Sequence, residues 1–188
     1  MMQTRKLSLI ALFSALSVIL MVFISVPLIP TVPFLKIDLS FIPIFMGMML
    51  LDLKSGYLIL LIRSLLKLLL NNAGVNDYIG LPMNILGFMI LMTVLYYCLI
   101  KNKWRPWIQK GMSIVLGSVA LTVMMVLMNY FYAIPLYAQF ANFNIGQVFG
   151  IFNYLLLAVV PFNLLEGVIL ISLSLLILPF VRRLINLI

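Results

Sequence analysis

"LSLIALFSALSVILMVFISV", Leu7 to Val26, is a run of 20 residues without a single charge, placed directly after Arg5 and Lys6. An α-helix rises about 1.5 Å per residue, so this run spans roughly 30 Å, the thickness of a bilayer's hydrocarbon core. A secretory signal would carry a shorter apolar segment and a small-residue A-x-A cleavage site, and neither is present here. The run therefore reads as a retained membrane helix.

The rest of the chain repeats the pattern. Of its 188 residues, 65% are hydrophobic and only 9% charged, too few to clothe a soluble surface. Proline, glycine and charge divide it into six apolar spans, at about 7–26, 41–52, 55–71, 82–100, 111–133 and 152–180. The expectation is an all-α integral membrane protein with a single domain over residues 1–188. The second span is too short to cross alone and needs burial in protein. The sixth is longer than a crossing requires and contains Pro161, which predicts tilt or a kink. Cys98 lies inside an apolar run and reads as a packing residue.

Six spans place both termini on one side, and charge says which. Arg5, Lys6, Lys54, Lys101, Lys103, Arg105, Lys110, Arg182 and Arg183 fall in the termini and even-numbered loops, whereas the odd-numbered loops hold only Lys36. The positive-inside rule then predicts cytoplasmic termini in a multi-pass cell-membrane protein. Outward loops are expected at 27–40, 72–81 and 134–151, and the net charge of +8 records topology rather than nucleic-acid binding. The outward segments "NNAGVNDYIGLPMN" (Asn71 to Asn84) and "NYFYAIPLYAQFANFN" (Asn129 to Asn144) concentrate amides and aromatics, so function is expected to face outward.

Charges within spans are costly and turn toward a bundle interior or a cavity. Counted at 1.5 Å per residue from the cytoplasmic ends, Arg63 sits at ~12 Å, Lys67 at ~18 Å and Glu166 at ~21 Å. Lys67 and Glu166 are thus level, and an ion pair between them stands beside the alternative that both line a ligand pocket. Asn84, Asn129 and Asn163 lie in the outer parts of three spans and are candidates to converge there, with helix capping or interhelical hydrogen bonding as their other reading. Tyr130 and Phe162 are candidate aromatic walls, with core packing as their other reading.

Catalysis finds no support. The chain has no His, only four acidic residues and no G-x-x-x-x-G-K-[ST], which excludes histidine triads and a P-loop. No cluster has metal-ligand spacing, and no catalytic residue, metal or cofactor is expected.

Three motifs carry a resemblance. "ALFSALSV" places Ala11 and Ala15 four apart on the first span, "FLKIDLSFIP" (Phe34 to Pro43) fills the first outward loop, and "PFNLLEG" (Pro161 to Gly167) lies in the sixth span. The chain resembles the substrate-binding S components of energy-coupling factor (ECF) transporters, and among them the riboflavin-specific members, over nearly its whole length. The resemblance implies that riboflavin is captured from outside and released inside when the chain joins a transmembrane coupling subunit and two ABC-type ATPases. It makes Ala11 and Ala15 the docking face for that coupling subunit. It also makes the first outward loop a lid, stiffened by Pro27, Pro30 and Pro33. Leu35, Leu39 and Phe41 would press on the ligand, and Lys36 and Asp38 would hold the lid shut. Alternation agrees, since Leu35, Ile37 and Leu39 share one face of an extended segment and Lys36, Asp38 and Ser40 the other. Solvated residues of a short connector are the alternative for Lys36 and Asp38. Another vitamin, or a structural membrane protein, is the alternative reading of the whole.

Asn84, Asn129, Asn163 and Glu166 are then the expected polar ligand contacts, with Tyr130 and Phe162 against the ring. Similar proteins often read F-N-L-x-K-G where this chain has Glu166. A carboxylate there would accept hydrogen bonds from ribityl hydroxyls and would change which partner Lys67 or Arg63 satisfies.

Overall fold

The structure is a computed structural model that describes residues 2–27 and 35–185. It is built from helices α1 (Met2–Phe23), α2 (Phe41–Leu50), α3 (Leu53–Leu70), α4 (Val75–Tyr96), α5 (Pro106–Met128), α6 (Ile134–Phe140), α7 (Ile145–Phe149), α8 (Ile151–Tyr154) and α9 (Val160–Ile185). Strands β1 (Ser25–Pro27) and β2 (Lys36–Asp38) pair antiparallel, a small departure from an all-α chain. Pro30 and Pro33 of the expected lid lie outside the described residues.

Four helical stretches are long and apolar enough to cross a membrane: Thr4–Phe23, Val75–Lys101, Pro106–Phe140 and Ile151–Leu184. The chain is an all-α, multi-pass membrane protein. Packing runs in a ring from α1 to α3, α4, α5, α9 and α2, and back to α1. Helix α2 is only 10 residues long and packs against α1, α3 and α9, with Phe41, Ile44, Phe45 and Met48 sealed from solvent. Burial in protein, as its length demanded, solves its span problem.

The helices outrun several of the boundaries drawn from proline and glycine. α4 begins at Val75, not near residue 82, and carries Pro82 in its interior. Proline cannot donate to the carbonyl four residues back. That carbonyl, on Tyr78, instead accepts the Tyr132 hydroxyl at 3.3 Å, so a side chain from the next long helix replaces the missing bond. Pro135 and Pro161 are handled differently. Each follows by two residues a π-helical turn, Asn129–Ala133 and Leu155–Val159 respectively. The wider turn absorbs the proline's steric demand, and the helix runs on. The expected outward loop 134–151 is consequently largely helical, as α6 and α7.

Close packing between α5 and α9 rests on Gly167, where an added Cβ would lie 2.7 Å from the Ser118 Cα. Small residues permit such approach in a bilayer, where dispersion between helices replaces the hydrophobic effect. At the opposite end of the bundle from β1 and β2, Lys6 of α1 meets Asp52 at 2.6 Å, and Asp52 caps α3 by accepting the Ser55 N–H at 2.7 Å.

Candidate functional site

A cavity of about 1010 Å³ lies within the ring of helices, between α3, α4, α5, α9 and the β1–β2 hairpin. Its lining is of two kinds. Phe88, Tyr137, Phe143, Phe149, Tyr154 and Phe162 provide aromatic surface, and Phe149 stacks on Tyr154 with centroids 6.4 Å apart. Asp38, Lys67, Asp77, Asn84, Asn129, Asn163 and Glu166 provide polar atoms. Among the described residues no cluster of His, Cys, Asp or Glu has a geometry to hold a metal.

The π turns set the inward register. Asn129 opens the first of them and is buried, its amide donating to the Met125 carbonyl at 2.8 Å while its Oδ1 accepts the Tyr154 hydroxyl at 2.8 Å. Asn163 follows the second and donates to the Val159 carbonyl at 2.7 Å. Both amides thus spend donors on their own helices, relieving the cost of a polar group at membrane depth. Asn163 and Phe162 lie three and four residues before Glu166 on α9, and all three line the cavity.

Behind the wall, Arg63 is 0% exposed. Its Nη2 donates to Asn84 Oδ1 at 2.6 Å, and the Asn84 amide donates onward to Asp38 Oδ2 at 3.4 Å. Asp38 also accepts the Ser40 N–H at 2.9 Å, and Ser17 donates to the Ser40 carbonyl at 2.7 Å. The Arg63 guanidinium lies 5.3 Å from the centroid of the Phe88 ring, within cation–π range. One amide therefore links a buried cation on α3 to the carboxylate of strand β2.

Not every expected residue faces the cavity. Tyr130, next to Asn129, is 50% exposed and points away, because the turn that brings Asn129 inward rotates its neighbour outward. Leu35 and Lys36 reach the cavity, but Leu39 and Phe41 pack in the core beneath it. Phe41 touches the wall through Phe88, edge-on at 5.0 Å. Extended alternation holds over Lys36–Asp38, yet Asp38 is buried rather than solvated, because Asn84 and the Ser40 N–H supply its partners. Ala11 and Ala15 are exposed on the outer face of α1.

Lys67 and Glu166 do not pair. Lys67 binds Asp77 Oδ2 at 2.6 Å and also donates to the Asn71 carbonyl. The turn from α3 to α4 folds Asp77 back within ten residues of Lys67, and a nearby carboxylate outcompetes a level one on a distant helix. Asp77, Phe88 and Tyr154 are the site residues that sequence reasoning passed over. Asp77 stood in a segment taken for an outward loop, and the aromatics stood in apolar stretches that offered no contrast.

Residues 5–178 match the family profile described as ECF transporter, substrate-specific component. The chain belongs to that family. It is 50% identical over 169 residues to the riboflavin transporter RibU of Streptococcus thermophilus, covering 90% of this chain and 79% of that one. It is 40% identical over 183 residues to RibU of Leuconostoc mesenteroides, covering 97% and 93%. Its fold is similar to the solved S component of a bacterial ECF transporter, with a TM-score of 0.74 at 23% identity over 98% of both chains. As an S component the chain is a substrate-binding membrane subunit, and the matched segment includes every helix that lines the cavity.

Proposed function

We propose that this S component captures riboflavin from outside the cell and releases it inside only when joined to a transmembrane coupling subunit and two ABC-type ATPases. The observation that carries the reading is the mixed aromatic and polar lining of the cavity. A flat tricyclic ring calls for the aromatic wall of Phe88, Tyr154 and Phe162, and a polyhydroxyl tail calls for Asn129, Asn163 and Glu166. The two RibU relatives, named riboflavin transporters, support the same substrate. In this reading the β1–β2 hairpin is the lid, both termini are cytoplasmic, and Ala11 and Ala15 meet the coupling subunit. The basic termini and loops support that orientation.

The test is a riboflavin titration of the detergent-purified protein, followed by quenching of flavin fluorescence, with thiamine and biotin as competitors. Saturable one-to-one quenching that neither competitor relieves is the expected result. A folded protein that leaves flavin emission unchanged would remove the assignment. Reconstituted alone, the chain is expected to bind riboflavin without ATP-driven uptake.

A further inference from the structure

Between the first turns of α1 and α3, at the end of the bundle away from the large cavity, lies a second cavity of about 350 Å³, lined by Lys6, Leu7, Ile10, Lys54, Ser55 and Leu58. Two cations thus meet three aliphatic side chains. Lys6 gives one of its three ammonium donors to Asp52 at 2.6 Å, and the Ser55 hydroxyl also donates to Asp52. Lys54 is exposed and has neither an acidic nor a hydrogen-bonding partner among the described residues. The other three acidic side chains, Asp38, Asp77 and Glu166, all line the large cavity, so Asp52 is the one acidic side chain at this end. One carboxylate against two lysines leaves the notch net positive.

The surroundings say what kind of anion fits. Leu58, Leu61, Leu65 and Leu69 are all exposed and, at spacings of three and four, form one apolar stripe that leads from the notch along α3. Eleven residues of helix cover about 16 Å, close to half of the ~30 Å hydrocarbon core and so the depth of one leaflet. A soluble anion has no use for the aliphatic lining or the stripe. An amphiphile with a phosphate at one end and a leaflet-long chain at the other matches both, and basic pockets between membrane helices are known to take anionic headgroups. We infer that this notch binds one anionic glycerophospholipid, its phosphate held by Lys54 and the free donors of Lys6 and an acyl chain laid along the α3 stripe. A zwitterionic lipid fits less well, because its own ammonium sets a like charge beside the two lysines.

The inference is independent of the riboflavin reading. Dioleoylphosphatidylglycerol, dioleoylphosphatidylcholine and inorganic phosphate are titrated separately into the delipidated, detergent-purified chain. Bound lipid is counted by native mass spectrometry, and protection is read from the melting temperature. One phosphatidylglycerol per chain, retained in preference to phosphatidylcholine and raising the melting temperature where inorganic phosphate does not, is the expected result. Lys54→Gln is expected to weaken phosphatidylglycerol binding about fivefold, what one basic residue contributes beside an anionic lipid surface. Because Lys54 has no partner in the fold to lose, its melting temperature without lipid is expected to match the wild type and so reports folding. Lys103→Gln makes the same charge change in the loop between α4 and α5 and is expected to leave lipid binding unaltered. Equal retention of the two lipids would overturn the inference, as would equal weakening by the two variants, which marks diffuse attraction, or equal protection by inorganic phosphate. Lipid retention unchanged in Lys54→Gln, with weakened capture of the coupling subunit, would give the notch to that subunit and overturn it as well.

Discussion

Asn84 bridges two buried charges, because its amide accepts from Arg63 and donates to Asp38 at once. Asn84→Leu would strand a buried guanidinium nitrogen and loosen the carboxylate of β2. Leaving a buried polar group unpaired costs about 1–3 kcal/mol, more when it is charged, so the melting temperature in detergent is expected to fall. Release of bound flavin, followed as recovery of fluorescence, is expected to quicken, since β2 loses its anchor to α4. Asn129→Leu removes a buried amide from the cavity wall, together with its hydrogen bond from the Tyr154 hydroxyl, and is expected to weaken flavin binding about tenfold. These asparagines were legible in the sequence, since an amide in an apolar run must find a partner. Tyr130 was not, because a single π turn decides whether residue 129 or residue 130 looks inward, and nothing in "MNYFY" marks that turn.

At the scale of elements, the α5–α9 contact depends on a missing side chain. Gly167→Val would drive a Cβ to 2.7 Å from Ser118 Cα, and backbone cannot yield as a flexible side chain can. Overpacking of this kind costs about 1–3 kcal/mol, and loss of thermal stability with parting of the cavity wall is the expected result. The clasp between α1 and α3 responds to acid. Partial burial acts to raise the pKa of Asp52, but hydrogen bonds from Lys6 and Ser55 and the Lys6 charge outweigh it and hold the carboxyl below its ordinary value. A depressed folded-state pKa contributes stability at neutral pH that is lost as pH falls through the carboxylate range. Melting curves are expected to converge for wild type and Asp52→Asn in acid and to separate above it, with the wild type the more stable. Element boundaries were the weakest part of the sequence reading, for a physical reason. In water a proline usually ends a helix, but here Tyr132 repairs the bond lost at Pro82, and π turns accommodate Pro135 and Pro161. The Lys67–Asp77 pair escaped notice because depth along separate helices ignores how a short turn folds back.

For the whole molecule, the fold class followed from composition, and the ring of helices gives it a test of sidedness. In a Cys98→Ser background, Lys103→Cys is expected to react with a membrane-impermeant maleimide only in inverted vesicles, and Gln147→Cys only in intact cells. The reverse pattern would invert the orientation inferred from the basic residues. Away from the cavity, Ile44, Phe45, Ile59, Leu60, Met92, Leu95 and Ile171 are each no more than 1% exposed and fill the space between α2, α3, α4 and α9. Such a close-packed apolar plug leaves no thread of water for a proton to hop along. A cell can therefore carry many copies of this protein without short-circuiting its membrane potential, and vesicles loaded with it should hold a pH gradient as long as empty ones.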